Sequence, residues 1–343
     1  MMKKICINGS RLYLRVDGMN RVLLEMVRSL DKIAEKDRYV LVIPHNVDKE
    51  CYERIRDLKR IRVRRTALPY FRGWDLMFID LLELLPQRIT VNLFNRCPFF
   101  GGGINMIHDI IPIAFYGTSD GVYLRNVKRL LKRSDRVIVP SESTREDIRK
   151  AFGSKIQMEI INPGWQHYRD IREDENIFEE YPAIRRGEYY FSLSSISPHK
   201  NFGFIIEAAK RDSDRLFLLA GAMNRGLGSE CVPPDNVMFL GRISEGRAKA
   251  LMMNCRAFIF PSFCEGAGLP PLEALSCKVS VLAADIPSIH EYCGDSVRYF
   301  DPDDHDLDIE SLLHTSVAPP EDALDKLSWD AAAQNLKRII DSK

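Results

Sequence analysis

Short apolar runs recur along this chain, each followed by a longer stretch with helical spacing, and this alternation constrains the fold more than any other feature. Runs at 5–7, 39–43, 61–65, 89–93, 104–107, 136–139 and 158–161 read as strands. Helical patterns fall at 19–34, 48–59, 74–84, 120–133 and 142–151. The first puts Val22, Leu23, Met26, Val27 and Leu30 on one side, and Ser141 can cap the last, with Glu142 in its first turn. Strands alternating with helices predict a mostly parallel sheet covered on both faces.

The pattern breaks at 170–188, a charge-crowded segment without a strand signal, which is where an interdomain connection is expected. It resumes with strands at 189–193, 216–220, 237–240, 257–260 and 279–282. Helices are expected at 201–210, 245–253, 270–276 and 286–292, and one long amphipathic helix over 324–340. The expected organisation is an N-terminal domain over 1–170, a linker over 171–188, a C-terminal domain over 189–323 and a closing helix over 324–343. Both domains are of the open α/β, Rossmann-like class, facing one another across a cleft. Ligands of such sheets bind outside the carboxyl ends of the strands, which directs attention to the loops that follow them.

The 343 residues suffice for two such cores. A net charge of +1 argues against a dedicated nucleic-acid binder, but it hides an asymmetry. Residues 1–170 carry 31 Lys/Arg against 20 Asp/Glu, and residues 171–343 carry 18 against 28. Cysteines 6, 51, 97, 231, 255, 264, 277 and 293 form no CxxC pair and read as thiols in a reducing compartment. The start, MMKKICING, is too short in apolar residues for a signal peptide. No stretch reaches 18 apolar residues, so a cytoplasmic protein is expected, with peripheral attachment to the inner face of a membrane left open.

The most informative segment is 257–283, AFIFPSFCEGAGLPPLEALSCKVSVLA, which reads strand, loop, helix, strand. Pro270 and Pro271 suit a first helical turn, where a missing N–H costs nothing. Glu265 falls in the loop and Glu273 about one turn inside the helix. The backbone N–H groups of Gly266, Ala267, Gly268 and Leu269 are available to an anion such as a phosphate. Carboxylates accept hydrogen bonds only, so both glutamates suit hydroxyl-rich groups such as a ribose or a hexose. Neither GxGxxG after the first strand nor GxxxxGK[ST] occurs.

FPSFCEGAGLPPLEAL resembles the E-x7-E signature of glycosyltransferase family 4, the retaining, nucleotide-sugar-dependent transferases of the GT-B fold. Four further segments resemble that family in its order: HDIIP at 108–112, VIVPSESTREDI at 137–148, SPHKNF at 197–202 and SWDAAAQNL at 328–336. The resemblance implies a hexose donor linked to GDP, UDP or dTDP and a glycan or polyprenyl-diphosphate-linked acceptor. The setting it implies is surface polysaccharide or lipopolysaccharide assembly, with no metal or other cofactor. By the same resemblance, Glu265 lies against the donor sugar near the reacting centre, Glu273 binds the ribose, and Lys200 neutralises the diphosphate. His108 reaches the donor sugar from the N-terminal domain, with Asp109 beside it on the acceptor side.

The sequence departs from the family where relatives carry an arginine: His199 stands immediately before Lys200, and Ser195 stands five positions before it. Two fixed cations stabilise a leaving diphosphate better than one. Either His199 is held protonated by the phosphates, or Arg242 in the GRIS loop supplies the second charge, or the protein is a slow or inactive binding partner of another transferase. The glycine-rich turn after the first strand is also altered, to SRLYLRVDGMNR, in which Gly18 still permits close approach of donor or acceptor.

Among the other candidates, Asp303, Asp304, Asp306 and Asp308 read as helix-cap and solvated residues rather than a metal site. The basic runs 54–65 and 125–136 read either as a solvated face or as attraction to anionic headgroups or a phosphate-linked acceptor. Phe71, Trp74, Met77, Phe78, Ile79, Leu81 and Leu82 follow the first run and belong either to the core or to an interface. Phe99 and Phe100, before Gly101–103, are expected to border an acceptor channel. The sequence leaves oligomeric state open.

Overall fold

The computed structural model describes residues 3–83, 85, 87–96, 99–100, 102–118, 121–222 and 233–343. Cys97, Pro98, Gly101 and Cys231 lie outside the described residues, as do Leu84 and Asp120 at the ends of two expected helices. The chain forms two compact units. The first comprises Met1–Gly164 and Ser328–Lys343, and the second Trp165–Leu327.

The first unit contains β1 (Lys4–Asn8), β2 (Tyr39–Ile43), β3 (Arg62–Arg65), β4 (Arg88–Asn92), β5 (Ile104–Met106), β6 (Arg136–Val139) and β7 (Glu159–Ile160). These form an all-parallel sheet in the order β3-β2-β1-β4-β5-β6-β7. Strands buried on both faces need no alternation, and β2 accordingly reads YVLVI. The helix Gly18–Ile33 is capped by Asp17, whose carboxylate accepts from Asn20 N, and it buries Val22, Leu23, Met26, Val27 and Leu30 as its spacing requires.

The second unit contains β8 (Tyr189–Leu193), β9 (Leu216–Ala220), β10 (Val237–Gly241), β11 (Ala257–Phe260), β12 (Val281–Ala284) and β13 (Arg298–Phe300). Its sheet is also all-parallel, in the order β10-β9-β8-β11-β12-β13. Phe191, Phe217, Phe258 and Phe260 are fully buried in its core.

Three features differ from the pattern read in the sequence. Residues 171–188 belong to the second unit and carry the short helix Asn176–Glu180, whose Ile177 is completely buried in that unit's core. Part of the charge around it is paired: Arg247 bridges Asp174 and Glu180. Second, 324–340 is not one helix. Pro320–Leu324 ends in the second unit, and a separate helix, Trp329–Asp341, starts where the Ser328 side chain accepts from Ala331 N. That helix packs against Gly18–Ile33 through Trp329, Ala332, Ala333, Leu336 and Ile340, with Lys32–Asp330 and Lys337–Glu35 pairs, both 2.6 Å, at the rim. Third, the expected helix over 74–84 is a π-helical turn, Leu76–Asp80, running into Leu81–Glu83. It buries Trp74 and Ile79 but leaves Phe71, Met77 and Leu81 between 40% and 50% exposed.

Cys6, Cys51, Cys255 and Cys293 are buried, Cys264 and Cys277 are half-buried, and none of the six is in a disulfide. Burial pushes the Cys51, Cys277 and Cys293 thiols up to about 12, so they stay protonated and inert at neutral pH. Asp308 caps the helix Ile309–Leu313 by accepting from Ser311 N, the structural role read for that acidic stretch.

Candidate active site

In each sheet the strand order reverses once, and the loops at the reversal are where an open α/β sheet binds ligands. In the second unit the reversal lies between β8 and β11, so the two loops that matter are 194–201 after β8 and 261–268 after β11.

The first of these loops leaves β8 with Ser194 N donating to Ala220 O at 3.0 Å and Ile196 N to Ala222 O at 2.8 Å. It can do so only because Gly221 stands beside it. A Cβ at 221 would lie 1.7 Å from Ser194 O, and its φ of +147° also excludes other residues. Ser195 is thereby held in a tight path next to β9. The loop then makes a 3₁₀ turn, Pro198–Lys200, and enters the helix Phe202–Arg211 through Asn201 in the left-handed region.

The second loop is tied to the first by Phe263 N donating to His199 O at 2.9 Å. Across that tie Lys200 Nζ lies 2.5 Å from Glu265 Oε1, with the two side chains only 14% and 10% exposed. The Lys200 ammonium also sits 5.8 Å from the Phe260 ring centroid. The loop ends at Gly268, which caps the helix Leu269–Ser276 with φ +62°; a Cβ there would meet Ile289 Cδ1 at 2.4 Å. Pro270 and Pro271 remove two of the four unpaired N–H groups of a helix start. Gly266, Ala267, Gly268 and Leu269, the residues read as an anion-binding turn, stand immediately before the prolines. Glu273 follows on the buried face of the helix, 8% exposed.

Glu273 has a partner that sequence spacing did not indicate. His167, on the 3₁₀ turn Gln166–Tyr168, places Nε2 2.9 Å from Glu273 Oε1. The two residues are 106 positions apart and meet inside the second unit. Arg242, following β10, is exposed, and no hydrogen bond or ion pair engages it among the described residues.

In the first unit the reversal lies between β1 and β4. At the carboxyl ends of three adjacent strands a rung of asparagines crosses the sheet. Asn8 Nδ2 donates to Asn92 Oδ1 at 2.7 Å, and Asn92 Nδ2 to Asn105 Oδ1 at 2.7 Å. Asn105 Nδ2 closes the chain on Ser134 Oγ at 2.9 Å and Gly102 O at 3.0 Å. Arg96 reaches the same end of the sheet, 3.1 Å from Asp75 Oδ1 and 2.5 Å from Asp80 Oδ2. Each amide is completely buried, and in that setting a full set of partners specifies one arrangement.

His108 follows β5. Its backbone N–H donates to Asn95 Oδ1 at 2.6 Å, and its Nε2 lies 2.9 Å from Leu93 O. A carbonyl only accepts, so the proton is on Nε2 and Nδ1 is left as an acceptor. Burial holds this imidazole below the ordinary histidine value, against the opposing pull of the Leu93 hydrogen bond and Asp109. Asp109 accepts from Ile111 N at 3.2 Å, closing the turn into Ile111–Ala114. Gly18 begins the helix Gly18–Ile33, and a Cβ there would meet nothing within 4 Å, so the space beside it is open. The position where the fold itself demands glycine is Gly9, where a Cβ would lie 2.7 Å from Ile43 Cγ2.

Among the described residues there is no group of three or more His, Cys, Asp or Glu side chains placed to hold a metal ion. No helix among them is long and apolar enough to cross a membrane.

Two α/β units, each an all-parallel sheet with one reversal of strand order, are the architecture of the GT-B class. Residues 173–315 match the glycosyl transferases group 1, and residues 16–166 match glycosyltransferase family 4. The fold matches that of Alr3699/HepE of Anabaena, solved with UDP and glucose, with a TM-score of 0.71 at 15% identity over 99% of this chain and all of that one. It also matches WaaG, a glycosyltransferase of lipopolysaccharide biosynthesis, with a TM-score of 0.63 at 14% identity over 99% of this chain and 95% of that one. By sequence, the chain is 23% identical to the O-antigen chain mannosyltransferase RfbU of Salmonella typhimurium, over 98% of this chain and 92% of that protein. It is 30% identical to the serotype-specific mannosyltransferase WbdA of Escherichia coli, over 44% of this chain and 20% of that protein. With the two family matches covering 16–166 and 173–315, the chain is a GT-B-fold glycosyltransferase related to glycosyltransferase family 4.

Proposed function

We propose that the protein moves a hexose, mannose first among the candidates, from a nucleoside-diphosphate sugar to a growing glycan or polyprenyl-diphosphate-linked acceptor in surface polysaccharide assembly. The observation that carries the donor side is the meeting of Lys200 and Glu265 across the two loops of the β8–β11 reversal. Mannose is favoured because RfbU, which the chain matches over nearly its whole length, and WbdA are both mannosyltransferases.

In this reading the second unit binds the donor. The amides of 266–269 and the Lys200 ammonium receive the diphosphate, Glu265 turns to the sugar hydroxyls, and Glu273 accepts from the ribose. His108 offers Nδ1 to the donor sugar, and Asp109 and the space beside Gly18 serve the acceptor side. The bond from the anomeric carbon to the diphosphate breaks, and the acceptor hydroxyl oxygen bonds to that carbon on the same face. The hydroxyl proton passes to the departing phosphate oxygen. Catalysis then rests on positioning and on stabilising the leaving group rather than on a side-chain base.

The same reading assigns the basic edge of the first unit to an anionic surface. β3 is an edge strand, and beside it a cavity of about 420 Å³ is lined by Lys36, Arg56, Lys59, Arg60, Arg62 and Arg65. Cations on an edge strand also deter edge-to-edge pairing. Their number here, close in sequence to exposed Leu68, Phe71 and Met77, supports attraction to anionic lipid or to the phosphates of a lipid-linked acceptor.

The test is a panel of GDP-, UDP- and dTDP-linked hexoses, GDP-mannose included, followed for nucleoside diphosphate release with and without membrane-extracted acceptor. Release from one donor, accelerated by acceptor, is the expected result. No release from any donor overturns the reading.

A further inference from the structure

We propose that His167 is a positioning residue for the donor nucleotide: it holds the Glu273 carboxylate in the orientation that accepts hydrogen bonds from the ribose diol. The inference rests on the reading that Glu273 binds the ribose.

Several observations converge on this pair. The His167 side chain is completely buried and its Nε2 stands 2.9 Å from Glu273 Oε1. A carboxylate only accepts, so this bond fixes the histidine proton on Nε2 and commits one carboxylate oxygen to the protein. A glutamate has three side-chain torsions, and the last, which turns the carboxylate plane, is broad and weakly held by sterics alone. One oriented hydrogen bond to Oε1 sets that plane. A diol needs two acceptor directions at fixed places, so a freely turning carboxylate would lose part of the affinity to ordering cost at each binding event.

The histidine is itself anchored. Trp165 Nε1 donates to Leu324 O at 2.9 Å and Gln166 Nε2 to Leu327 O at 2.8 Å, pinning the 3₁₀ turn from two side chains. Tyr168, the next residue, is buried in the core of the second unit, with its ring edge-on to the imidazole at 6.2 Å. Glu273 rides on a helix whose start is fixed by two prolines and by Gly268 against Ile289. Donor and acceptor of this bond are thus each held by rigid elements, which is what a supporting partner of a binding residue requires.

The experiment compares GDP with 2′,3′-dideoxy-GDP, and UDP with its dideoxy counterpart, by calorimetry. Wild type is expected to favour the intact ribose by about 10- to 100-fold, the scale of hydrogen bonds to a charged group. His167→Phe, which keeps the ring volume, should reduce that preference to within about 3-fold while binding the dideoxy nucleotide as wild type does. His167→Gln, whose amide nitrogen can stand near the place of Nε2, should restore part of the preference. Where the Phe variant does not fold, His167→Asn, too short to reach Glu273, takes its place. Full preference retained in the His167 variants but lost in Glu273→Ala overturns the role of His167 and leaves the ribose reading standing. An equal fall in affinity for intact and dideoxy nucleotides also overturns it, since that is the mark of a structural role. A Glu273→Ala protein that keeps the preference, or a wild type that shows none, overturns the ribose reading and this inference together.

Discussion

Lys200 Nζ and Glu265 Oε1 stand 2.5 Å apart and largely out of water, joining the loop after β8 to the loop after β11. The cation assigned to the diphosphate is therefore neutralised, without donor, by the carboxylate assigned to the sugar. Donor binding would exchange one partner for another: phosphate takes the ammonium, and the carboxylate turns to hydroxyls. This keeps either charge from being left buried and unpaired, a state that costs far more than an exposed charge does.

Glu265→Gln separates the two roles. The amide no longer competes for Lys200 with full charge, so nucleoside diphosphate affinity should equal or exceed that of wild type. Turnover should fall by at least ~10²-fold, the range for lost transition-state electrostatic contacts. Calorimetry with the diphosphate and steady-state kinetics with the donor check the two halves. Weaker diphosphate binding with intact turnover would reverse the assignment.

The second cation for the leaving group is expected at His199, whose carbonyl already ties the two loops together. His199→Arg should bind nucleoside diphosphate at least as tightly as wild type, and Lys200→Ala should lose binding. If His199→Ala binds unchanged while Arg242→Ala weakens, the exposed Arg242 holds that role instead.

His108 gives a pH dependence with a definite sign. Burial lowers its folded value below 6.5, so on unfolding at mildly acid pH it takes up a proton that the native state does not bind. Stability is therefore undiminished above about pH 6.5 and falls as pH drops below it, by at most about 1.4 kcal/mol per pH unit from this group. His108→Gln should flatten that slope. Urea unfolding of both proteins at pH 7.5 and pH 5.5 measures it, and equal losses in the two would exclude the histidine as the source.

How much of this was legible beforehand depended on whether the signal was local. β8 and β11 announce themselves as apolar runs, and Glu265, Gly268 and Glu273 sit within one short strand-loop-helix segment. His167 has no such signature: its partner is 106 residues away, and a search for histidine spacing passes over it. Asn8 and Asn92 end their strands and Asn105 lies within β5, so the rung exists only once the parallel order is known. Gly221 was equally silent, because its requirement comes from Ser194 O in the loop that follows β8. The helix over 324–340 was misread for the opposite reason. Its apolar spacing continues through Leu327, and only the Ser328 cap shows that two helices belong to two units.

The basic edge should respond to salt. Vesicles containing anionic lipid should capture the protein at low ionic strength and release it near ~0.5 M salt, where screening reaches only a few ångströms. Charge reversal at Arg60, Arg62, Arg64 and Arg65 should weaken capture and leave neutral vesicles unaffected. Equal binding to neutral and anionic vesicles would assign the cations to edge protection alone.

The most direct measurement follows the anomeric proton by NMR while the protein turns over an α-linked nucleoside-diphosphate hexose, GDP-mannose first and then the UDP and dTDP donors. Retaining chemistry predicts that the first sugar signal to appear, on acceptor or on water, is the α anomer, and that Glu265→Gln suppresses its appearance by at least ~10²-fold. A first-formed β anomer, or α product released at the wild-type rate by the Glu265→Gln protein, would contradict the account.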